Sequence, residues 1–486
     1  MPMPLLMVGS VSVDWWWPLV GTAAFLLAGL GLYLGAGVRR SRRQALLLLR
    51  QIAPAALHSD KTRIIYTASS LDPGGAERVA LDLMSSIDPE RFLIFLIIRD
   101  AFHQPSVFDQ TIRRAEERGM VVVRKPVTAA AWRDRKTRDP LGRLRDVVPG
   151  ARRALGEVIT EYTIYRTIRP HILHLHLVLG FGPFAKKLVA RAAGIPIVVT
   201  TYHQFPVSHR PSPHRPYRGI VDSIMMRCMD GLTILGMQRV DDLMIATSPE
   251  EREAHIATGV PANKIVIISN GIDLQPFESP PSSAILAALR DRSGIPPHAF
   301  VFGHLGRLNV QKAQRYLVAA AVAVLRDAPE AFMVILGEGE ERGALAAQLA
   351  ATGEESIRRR ILMPGQTRDI DVPSYHFMFD AFVLSSRFEG QGLVNMEAMA
   401  AGRPIIATRV GGVPSTVGGE AAILVEPEDA PALAVAMRTL LADPDLRRRM
   451  GQAGRRRAVA MFDLRRAARA HEELYQRLLG ERANSA

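Results

Sequence analysis

Short apolar runs alternate with stretches of helical period along residues 61–462, and this pattern predicts two α/β domains with parallel sheets. In the first half the predicted strands are Arg63–Thr67, Phe92–Ile98, Met120–Arg124, Ile172–Leu177, Pro196–Thr201, Leu243–Thr247 and Ile265–Ser269. In the second half they are Phe300–Leu305, Phe332–Leu336, Arg360–Met363, Ala381–Leu384, Ile405–Thr408 and Ile423–Val425. Doubly wound sheets bind ligands beyond the carboxyl ends of their strands, so two facing domains predict a ligand cleft between them.

A proline-rich segment, Gly271 to Pro297, separates the two patterns. We place the hinge at its start, which gives a first domain over 61–271 and a second over 272–462. The stretch from Asp463 to Leu479 has apolar residues at helical spacing, which predicts a helix with one buried face. We assign 463–486 to a C-terminal helix that packs back on the first domain.

An uncharged, mostly apolar run, Trp15 to Val38, is long enough to cross the ~30 Å hydrocarbon layer of a membrane. Tryptophans stand at its amino side, four arginines follow within 39–43, and no Lys or Arg precedes it. This asymmetry predicts a single-pass anchor over 1–43 in the inner or cytoplasmic membrane, with the domains in the cytoplasm. A buried helix or an amphipathic lid is the alternative interpretation.

Residues 44–60 then predict an amphipathic connector, in which Leu46 to Leu49 touch the bilayer surface. Residues 126–150 are polar and basic without a clear period, and they support no prediction.

The chain has 486 residues, too many for one hydrophobic core, and a formal net charge of +13. The excess positive charge lies near the amino end and within 447–457, without the interleaved aromatic residues of a base-stacking surface, which argues against nucleic acid as a partner. The single cysteine, Cys228, excludes an intrachain disulfide and fits a reducing compartment. Three nearby methionines favour a packing role for it.

The candidate chemistry centres on two carboxylates, Glu389 and Glu397, which bracket a Gly390-Gln391-Gly392 turn. The turn lies between a predicted strand and a helix start, where backbone N–H groups and the helix dipole favour an anion such as a diphosphate. Carboxylates accept hydrogen bonds from sugar hydroxyls. In isolation the stretch favours a loop with two solvated glutamates, and the rest of the chain reverses that interpretation.

Other residues add to this picture from both halves. Arg307 and Lys312 follow the first strand of the second half and suit capture of a diphosphate, although cations after a strand are usually solvated. Gly74 and Gly75 form a turn before the first helix, and His203 follows a strand at the rim of the same cleft. No metal site is predicted, because the one pair of alternating histidines has no third or fourth ligand at suitable spacing.

Taken together, these motifs resemble the retaining, nucleotide-sugar-dependent glycosyltransferases of family 4 (glycosyltransferase group 1). The landmarks run in the family's order as GGAERV, HLH, TTYH, ATS, SNGID, GRLNVQK, GEGEE and SRFEGQGLVNMEAMAAGRPIIAT. The resemblance covers roughly residues 63–480 and implies the GT-B fold, in which two Rossmann-like domains face each other. It implies a nucleotide-diphosphate sugar as co-substrate, with no cofactor and no metal.

The resemblance also implies roles for individual residues. The implied catalytic residues are His203, Glu389, Arg307 and Lys312, and the implied substrate-binding residues are Gly74, Gly75, Gly390, Gln391, Gly392, Leu393 and Glu397. Glu389 would hold hydroxyls of the donor sugar and Glu397 the ribose. Arg307 and Lys312 would neutralise the diphosphate as its charge grows.

Three positions depart from the family pattern. Gln391 stands where Phe is commonest, which predicts a more polar sugar-facing wall; Ala313 replaces a Gly after the lysine, and Ser415 stands where Glu is frequent. The sequence thus predicts a membrane-anchored glycosyltransferase that uses a saccharide or lipid-linked acceptor in polysaccharide or glycolipid synthesis. A non-catalytic GT-B scaffold of a membrane assembly and, more remotely, a nucleotide-sugar epimerase are the alternatives.

Overall fold

The computed structural model describes residues 38–50, 52–67, 75–100, 112–113, 116–126, 155–177, 181–202, 231, 234–367 and 371–484. Every strand that the apolar pattern predicted forms, with ends that differ by no more than two residues. All strand pairs are parallel. The agreement follows from burial of these strands on both faces, which makes them continuous apolar runs.

The first sheet has seven strands in the order β3-β2-β1-β4-β5-β6-β7. Its strands are β1 Thr62–Thr67, β2 Phe92–Asp100, β3 Val121–Pro126, β4 Ile172–Leu177, β5 Ile197–Tyr202, β6 Leu243–Ala246 and β7 Ile265–Ile267. The helices around it are α1 (38–49), α2 Gly75–Ser86, α3 (155–168), α4 Phe181–Ala192, α5 (234–239) and α6 Pro249–Ala257. Two hydrophobic clusters, one on each face, bury this sheet.

The second sheet has six strands in the order β10-β9-β8-β11-β12-β13. Its strands are β8 Phe300–Leu305, β9 Ala331–Leu336, β10 Ile361–Gly365, β11 Ala381–Leu384, β12 Ile405–Thr408 and β13 Ala422–Val425. The helices around it are α7 Ser283–Arg292, α8 Gln314–Leu325, α9 Arg342–Ala350, α10 Val372–Met378, α11 Leu393–Ala400, α12 Val413–Ala421, α13 Ala430–Ala442 and α14 Pro444–Met461. Short helical turns lie at Pro54–Leu57, Ala262–Lys264, Gln275–Phe277 and Glu355–Arg358.

The last helix, α15 Leu464–Asn484, returns to the first domain and buries Leu474, Tyr475 and Leu478 in one of its clusters. The Tyr475 hydroxyl bonds to the hydroxyl of Tyr66 on β1 and lies 2.6 Å from Nδ1 of His174 on β4. Because these buried polar groups satisfy one another, they fix the helix in one position on the sheet.

The chain crosses between the domains at two adjacent points. The Ile272 N–H donates to the Phe462 carbonyl at 2.9 Å, and the Leu464 N–H donates to the Ile272 carbonyl at 3.0 Å. A Cβ at Gly271 would lie 2.5 Å from the Leu464 Cα, so only glycine fits where the crossings touch. The predicted hinge therefore consists of two crossing segments held together.

Helix α1 belongs to the first domain. Its Ala45, Leu48 and Leu49 lie in the hydrophobic cluster of that domain, and the carbonyl of its Ser41 accepts a hydrogen bond from the Thr160 hydroxyl on α3 at 3.4 Å. The prediction that Leu46 to Leu49 all touch a bilayer is therefore wrong for Leu48 and Leu49. Leu46 and Leu47 remain about half exposed.

In the described part of the chain, no helix combines the length and the apolar character that a membrane crossing requires. The predicted span lies outside the described residues except for Val38, and it stays a prediction.

Candidate functional site

The glycine turn at the centre of the candidate site lies between β11 and α11. Gly392, the residue before α11, has φ 73° and ψ 77°, a left-handed conformation that favours glycine. A Cβ there would lie 2.9 Å from the Asn395 side-chain nitrogen and 3.3 Å from the Glu389 Cγ. The turn thus sets Glu389 directly against the start of a helix, where N–H groups point towards an anion.

Glu389 and Lys312, which are far apart in sequence, form the core of this site. Lys312 Nζ lies 2.6 Å from Glu389 Oε2, and the Ser386 hydroxyl donates to the same oxygen at 3.0 Å. Their side chains are only 15% and 12% exposed. A lysine and a carboxylate therefore lie side by side beyond the carboxyl ends of the strands. The ammonium can bind a phosphate and the carboxylate can accept hydrogen bonds from hydroxyl groups of the same ligand.

The loop of Arg307 rests on the Gly337–Glu341 loop that follows β9. The Leu308 N–H donates to the Glu338 carbonyl at 2.9 Å, and the Glu341 N–H donates to the Leu308 carbonyl at 3.0 Å. A Cβ at Gly337 would overlap the Gly306 carbonyl. The glycines of GEGEE therefore support the loop that presents Arg307, whose side chain is exposed at the cleft edge.

Sequence reasoning missed His304, which is buried on β8 close to Lys312. Its Nδ1 donates to the Val383 carbonyl at 2.8 Å, and its Nε2 lies 3.2 Å from the Gln314 side-chain nitrogen. Burial lowers the pKa of His304 to about 4, with a further lowering by the Lys312 charge. The imidazole is therefore neutral and serves as a support between β8 and β11.

Glu397 lies on α11, is only 3% exposed and has a basic side chain beside each oxygen. Arg78 Nη1 of the first domain lies 3.0 Å from Oε1, and His376 Nε2 lies 3.4 Å from Oε2. Burial acts to raise the pKa of Glu397, but Arg78 and His376 outweigh it and hold this pKa below its ordinary value. Arg78 ends the GGAER motif, which was the available signal for it, whereas His376 had none.

A cavity of about 620 Å³ opens at the carboxyl ends of β9 and β10. Leu336, Gly365, Thr367 and Tyr375 are among the residues that line it. Tyr375 precedes His376, the partner of Glu397. The size falls within the range of small-molecule sites.

The glycine turn also contacts the first domain. The Gln391 side-chain oxygen accepts a hydrogen bond from the Asn270 N–H at 3.0 Å, beside the hinge. This buried oxygen is therefore committed to the interdomain segment, and the more polar sugar-facing wall stays a prediction. Leu393 lies against Gly75, where a Cβ would be 3.3 Å from its side chain. Gly390 accepts from the Gly412 N–H at 2.8 Å.

Two predicted site residues, His203 and Gly74, lie outside the described residues. The strand that leads to His203 ends in a buried cluster: Lys187 Nζ lies 2.6 Å from Asp241 Oδ2 and 3.0 Å from the Tyr202 hydroxyl, and Thr200 donates to Asp241 Oδ1 at 2.9 Å. This cluster fixes the end of β5 immediately before His203.

The alternating histidines on β4 are both buried. His174 lies within hydrogen-bonding distance of Tyr475 and, at 2.8 Å, of the Thr201 hydroxyl, and its ring packs near His176. Where the structure describes the chain, no three or more His, Cys, Asp or Glu side chains are grouped as a metal site would need.

Comparison with known proteins gives two family models that match consecutive parts of the chain. The model "Glycosyltransferase Family 4" matches residues 73–276, and the model "Glycosyl transferases group 1" matches residues 287–457. The gap between the two matches lies within the proline-rich segment Gly271 to Pro297, shortly after the hinge, and together the matches span most of the chain.

Among similar proteins, glycogen synthase of Mycobacterium tuberculosis is 27% identical over 313 residues, which is 64% of this chain and 69% of that protein. D-inositol 3-phosphate glycosyltransferase of Kineococcus radiotolerans is 32% identical over 272 residues, 51% of this chain and 61% of that protein. The solved structure of Anabaena HepE in complex with UDP and glucose has a TM-score of 0.63 at 21% identity, covering 85% of this chain and 99% of that one. At this identity the structural likeness speaks for the fold alone.

Proposed function

Because the chain belongs to the group 1 family of glycosyltransferases, with the two α/β domains of the GT-B fold, we propose that it is a membrane-anchored retaining glycosyltransferase. It transfers a sugar from a nucleotide-diphosphate donor to a saccharide or lipid-linked saccharide, in polysaccharide or glycolipid synthesis. The observation that carries the proposal is the Lys312–Glu389 pair at 2.6 Å, set against the start of α11.

Each group of a nucleotide sugar has a complementary partner in the site. The diphosphate lies against the start of α11 with Lys312 and Arg307 beside it, and the sugar hydroxyls donate to Glu389. The ribose hydroxyls donate to Glu397, and the cavity at the carboxyl ends of β9 and β10 receives the base. UDP is the first nucleotide to test, because HepE was solved with UDP.

Transfer proceeds on one face of the sugar. The bond between the anomeric carbon and the phosphate oxygen breaks as the acceptor oxygen bonds to the same face of that carbon. The acceptor proton passes to an oxygen of the leaving phosphate, and the nucleotide diphosphate departs. Lys312 and Arg307 stabilise the negative charge that grows on the diphosphate, so catalysis is mainly positioning and electrostatic stabilisation. No step in this scheme requires a metal ion.

Membrane anchoring rests on the sequence of 15–38 and is supported by α1. The arginines at 39, 40, 42 and 43 are exposed on that helix, while its opposite side packs into the first domain. Basic side chains beside a span favour anionic lipid, and α1 holds the domain close to that surface. This geometry suits a lipid-linked acceptor at a cytoplasmic membrane.

The test is nucleotide release by the purified full-length protein from UDP-, GDP- and ADP-sugars, with and without a membrane lipid extract. Glu389→Gln removes the negative charge and one of the two acceptor oxygens at the proposed sugar contact. Glu330→Gln is the matched control, because Glu330 precedes β9 at the opposite, amino edge of the same sheet.

Lipid-stimulated release from one donor, lost in Glu389→Gln and kept in Glu330→Gln, is the expected result, and the product's anomeric configuration by NMR tests retention. Release that lipid does not stimulate would sustain the transferase and remove the lipid-linked acceptor. A folded protein that neither binds nucleotide nor cleaves any donor would refute the enzyme and favour a scaffold.

A further inference from the structure

The ion pair between Arg78 and Glu397 joins the two domains across the cleft. Arg78 lies on α2 and is 31% exposed, whereas Glu397 lies on α11 and is almost fully buried. An ion pair is stronger away from water than at the surface. Because this pair forms only when the two domains are close together, it stabilises a closed cleft relative to an open one. The proposed function gives Glu397 the ribose, yet it leaves Arg78 without a role.

We propose that Arg78 is a positioning residue that couples nucleotide binding to closure of the cleft, acting through Glu397. The inference rests on the proposed function, since it takes Glu397 as the ribose contact. A carboxylate has about four acceptor positions, and Arg78 and His376 address one on each oxygen. The ribose hydroxyls therefore bind beside Arg78 and complete a network drawn from both domains.

The surroundings of Arg78 hold it in place for this role. Gly75, at the start of α2, lies against Leu393 at the start of α11. One helical turn beyond Arg78, Asp82 Oδ2 lies 3.6 Å from Arg78 Nε and orients the guanidinium from the first domain. When the cleft opens, Glu397 keeps His376 but loses Arg78. A nucleotide that needs the oriented, ionised carboxylate thus binds the closed state more tightly, which is the condition for it to shift the population.

Titration gives a readout that separates this role from simple packing. The charged or titratable groups that face Glu397 are Arg78 from α2 and His376 from α10, and Asp82 faces Arg78. Arg78 makes the largest contribution that lowers the pKa of Glu397. Loss of Arg78 therefore raises this pKa, and nucleotide binding, which requires the ionised form, fails at a higher pH than in the unaltered protein.

The experiment compares full-length Arg78→Met, Arg78→Lys and Arg118→Met. Arg118 is an exposed arginine that donates to the Ser85 carbonyl at the far end of the same helix, so its variant is the matched control for lost charge. We measure kcat and KM for the donor, the pH dependence of nucleotide affinity, and compaction on nucleotide binding by small-angle X-ray scattering.

For Arg78→Met we expect a loss of about tenfold or more in donor kcat/KM and no nucleotide-induced compaction. The loss of nucleotide affinity at acid pH (the acid limb) should begin at a higher pH than in the unaltered protein. Arg78→Lys should recover part of each, and Arg118→Met should behave like the unaltered protein. In a Glu397→Gln background, Arg78→Met should cause little further loss, because it acts through that carboxylate.

Three results would overturn the inference. The first is an Arg78→Met variant that behaves like the Arg118→Met control. The second is an Arg78→Met variant that loses kcat/KM while its compaction and acid limb are unchanged. The third is a loss in the Arg78→Met/Glu397→Gln double variant that equals the product of the two single losses. Unaltered protein that binds no nucleotide would instead refute the proposed function, and the coupling with it.

Discussion

The buried Lys187–Asp241 pair gives the sharpest test of how the first domain is held together. The side chains of Lys187 and Asp241 are 1% and 0% exposed, and their charged atoms are 2.6 Å apart. Burial lowers the pKa of Lys187 and raises that of Asp241, and in both residues it outweighs the mutual attraction. The pair as a whole should therefore contribute little net stability, while either charge alone would be costly.

The magnitudes follow from this asymmetry. Lys187→Met leaves the buried Asp241 carboxylate with the Thr200 hydroxyl as the remaining side-chain donor among the described residues, and Asp241→Asn leaves the buried Lys187 ammonium without a counter-charge, with neutral acceptors such as the Tyr202 hydroxyl. Each single change should cost about 3–5 kcal/mol. This is a large part of the roughly 5–15 kcal/mol that stabilises a typical domain. The double change Lys187→Met/Asp241→Asn removes both charges, so it should cost less than either single change.

Hydrogen exchange measured by mass spectrometry suits this test, because it reads the two domains separately where a single unfolding curve would merge them. Peptides from β5 and β6 should lose protection in each single variant and regain most of it in the double variant, with peptides from β8 to β12 unchanged. A single variant that costs less than about 1 kcal/mol, or costs that simply add, would refute the reasoning.

Three further predictions concern the second domain. Ala313 has φ 51° and ψ 37°, so Ala313→Gly should relieve left-handed strain and raise the free energy of unfolding by about 0.5–1 kcal/mol in denaturant titration; a loss of stability would contradict this. The pKa of His304 is about 4 in the folded protein and 6.5 in the unfolded chain, so the unfolded chain takes up the proton first as the pH falls. The free energy of unfolding should therefore be unaffected by this group above pH 6.5 and fall by up to about 3 kcal/mol as the pH falls towards 4. His304→Gln should flatten that slope, and an unchanged slope would assign it to other groups. EDTA treatment followed by gel filtration should leave donor cleavage intact, and recovery of lost activity by added Mg²⁺ or Mn²⁺ would refute the metal-independent scheme.

The sequence predicted the strands well because buried parallel strands are continuous apolar runs, whose ends polar or glycine residues mark. It also predicted the glycine turn with Glu389, since strand, turn and helix are contiguous there. It could not predict Arg78 against Glu397, His376 against Glu397, or Gln391 against Asn270. Each of these pairs depends on packing between elements that are distant in the chain, which no local pattern encodes.

The prediction that Leu48 and Leu49 touch a bilayer failed for a related reason. An arginine-rich stretch after an apolar run is typical of a membrane flank. The residues that follow it also carry a second pattern, an apolar period typical of a helix packed on one face. Ala45, Leu48, Leu49 and Ile52 recur at spacings of three and four residues, which is the period of a helix packed on one face. The arginines lie on the solvent-exposed side of α1, and the apolar residues lie on the side that packs into the first domain.

The return of α15 to the first domain has a consequence for synthesis. Tyr66 on β1 meets its partner Tyr475 only after about 200 further residues beyond the hinge have been made, which at about 5–20 residues per second takes roughly 10–40 s. Throughout that interval the nascent first domain presents the apolar surface that Leu474 and Leu478 later cover. Translation therefore completes the second domain before α15 is made, and only then does α15 cover the surface left open on the first domain.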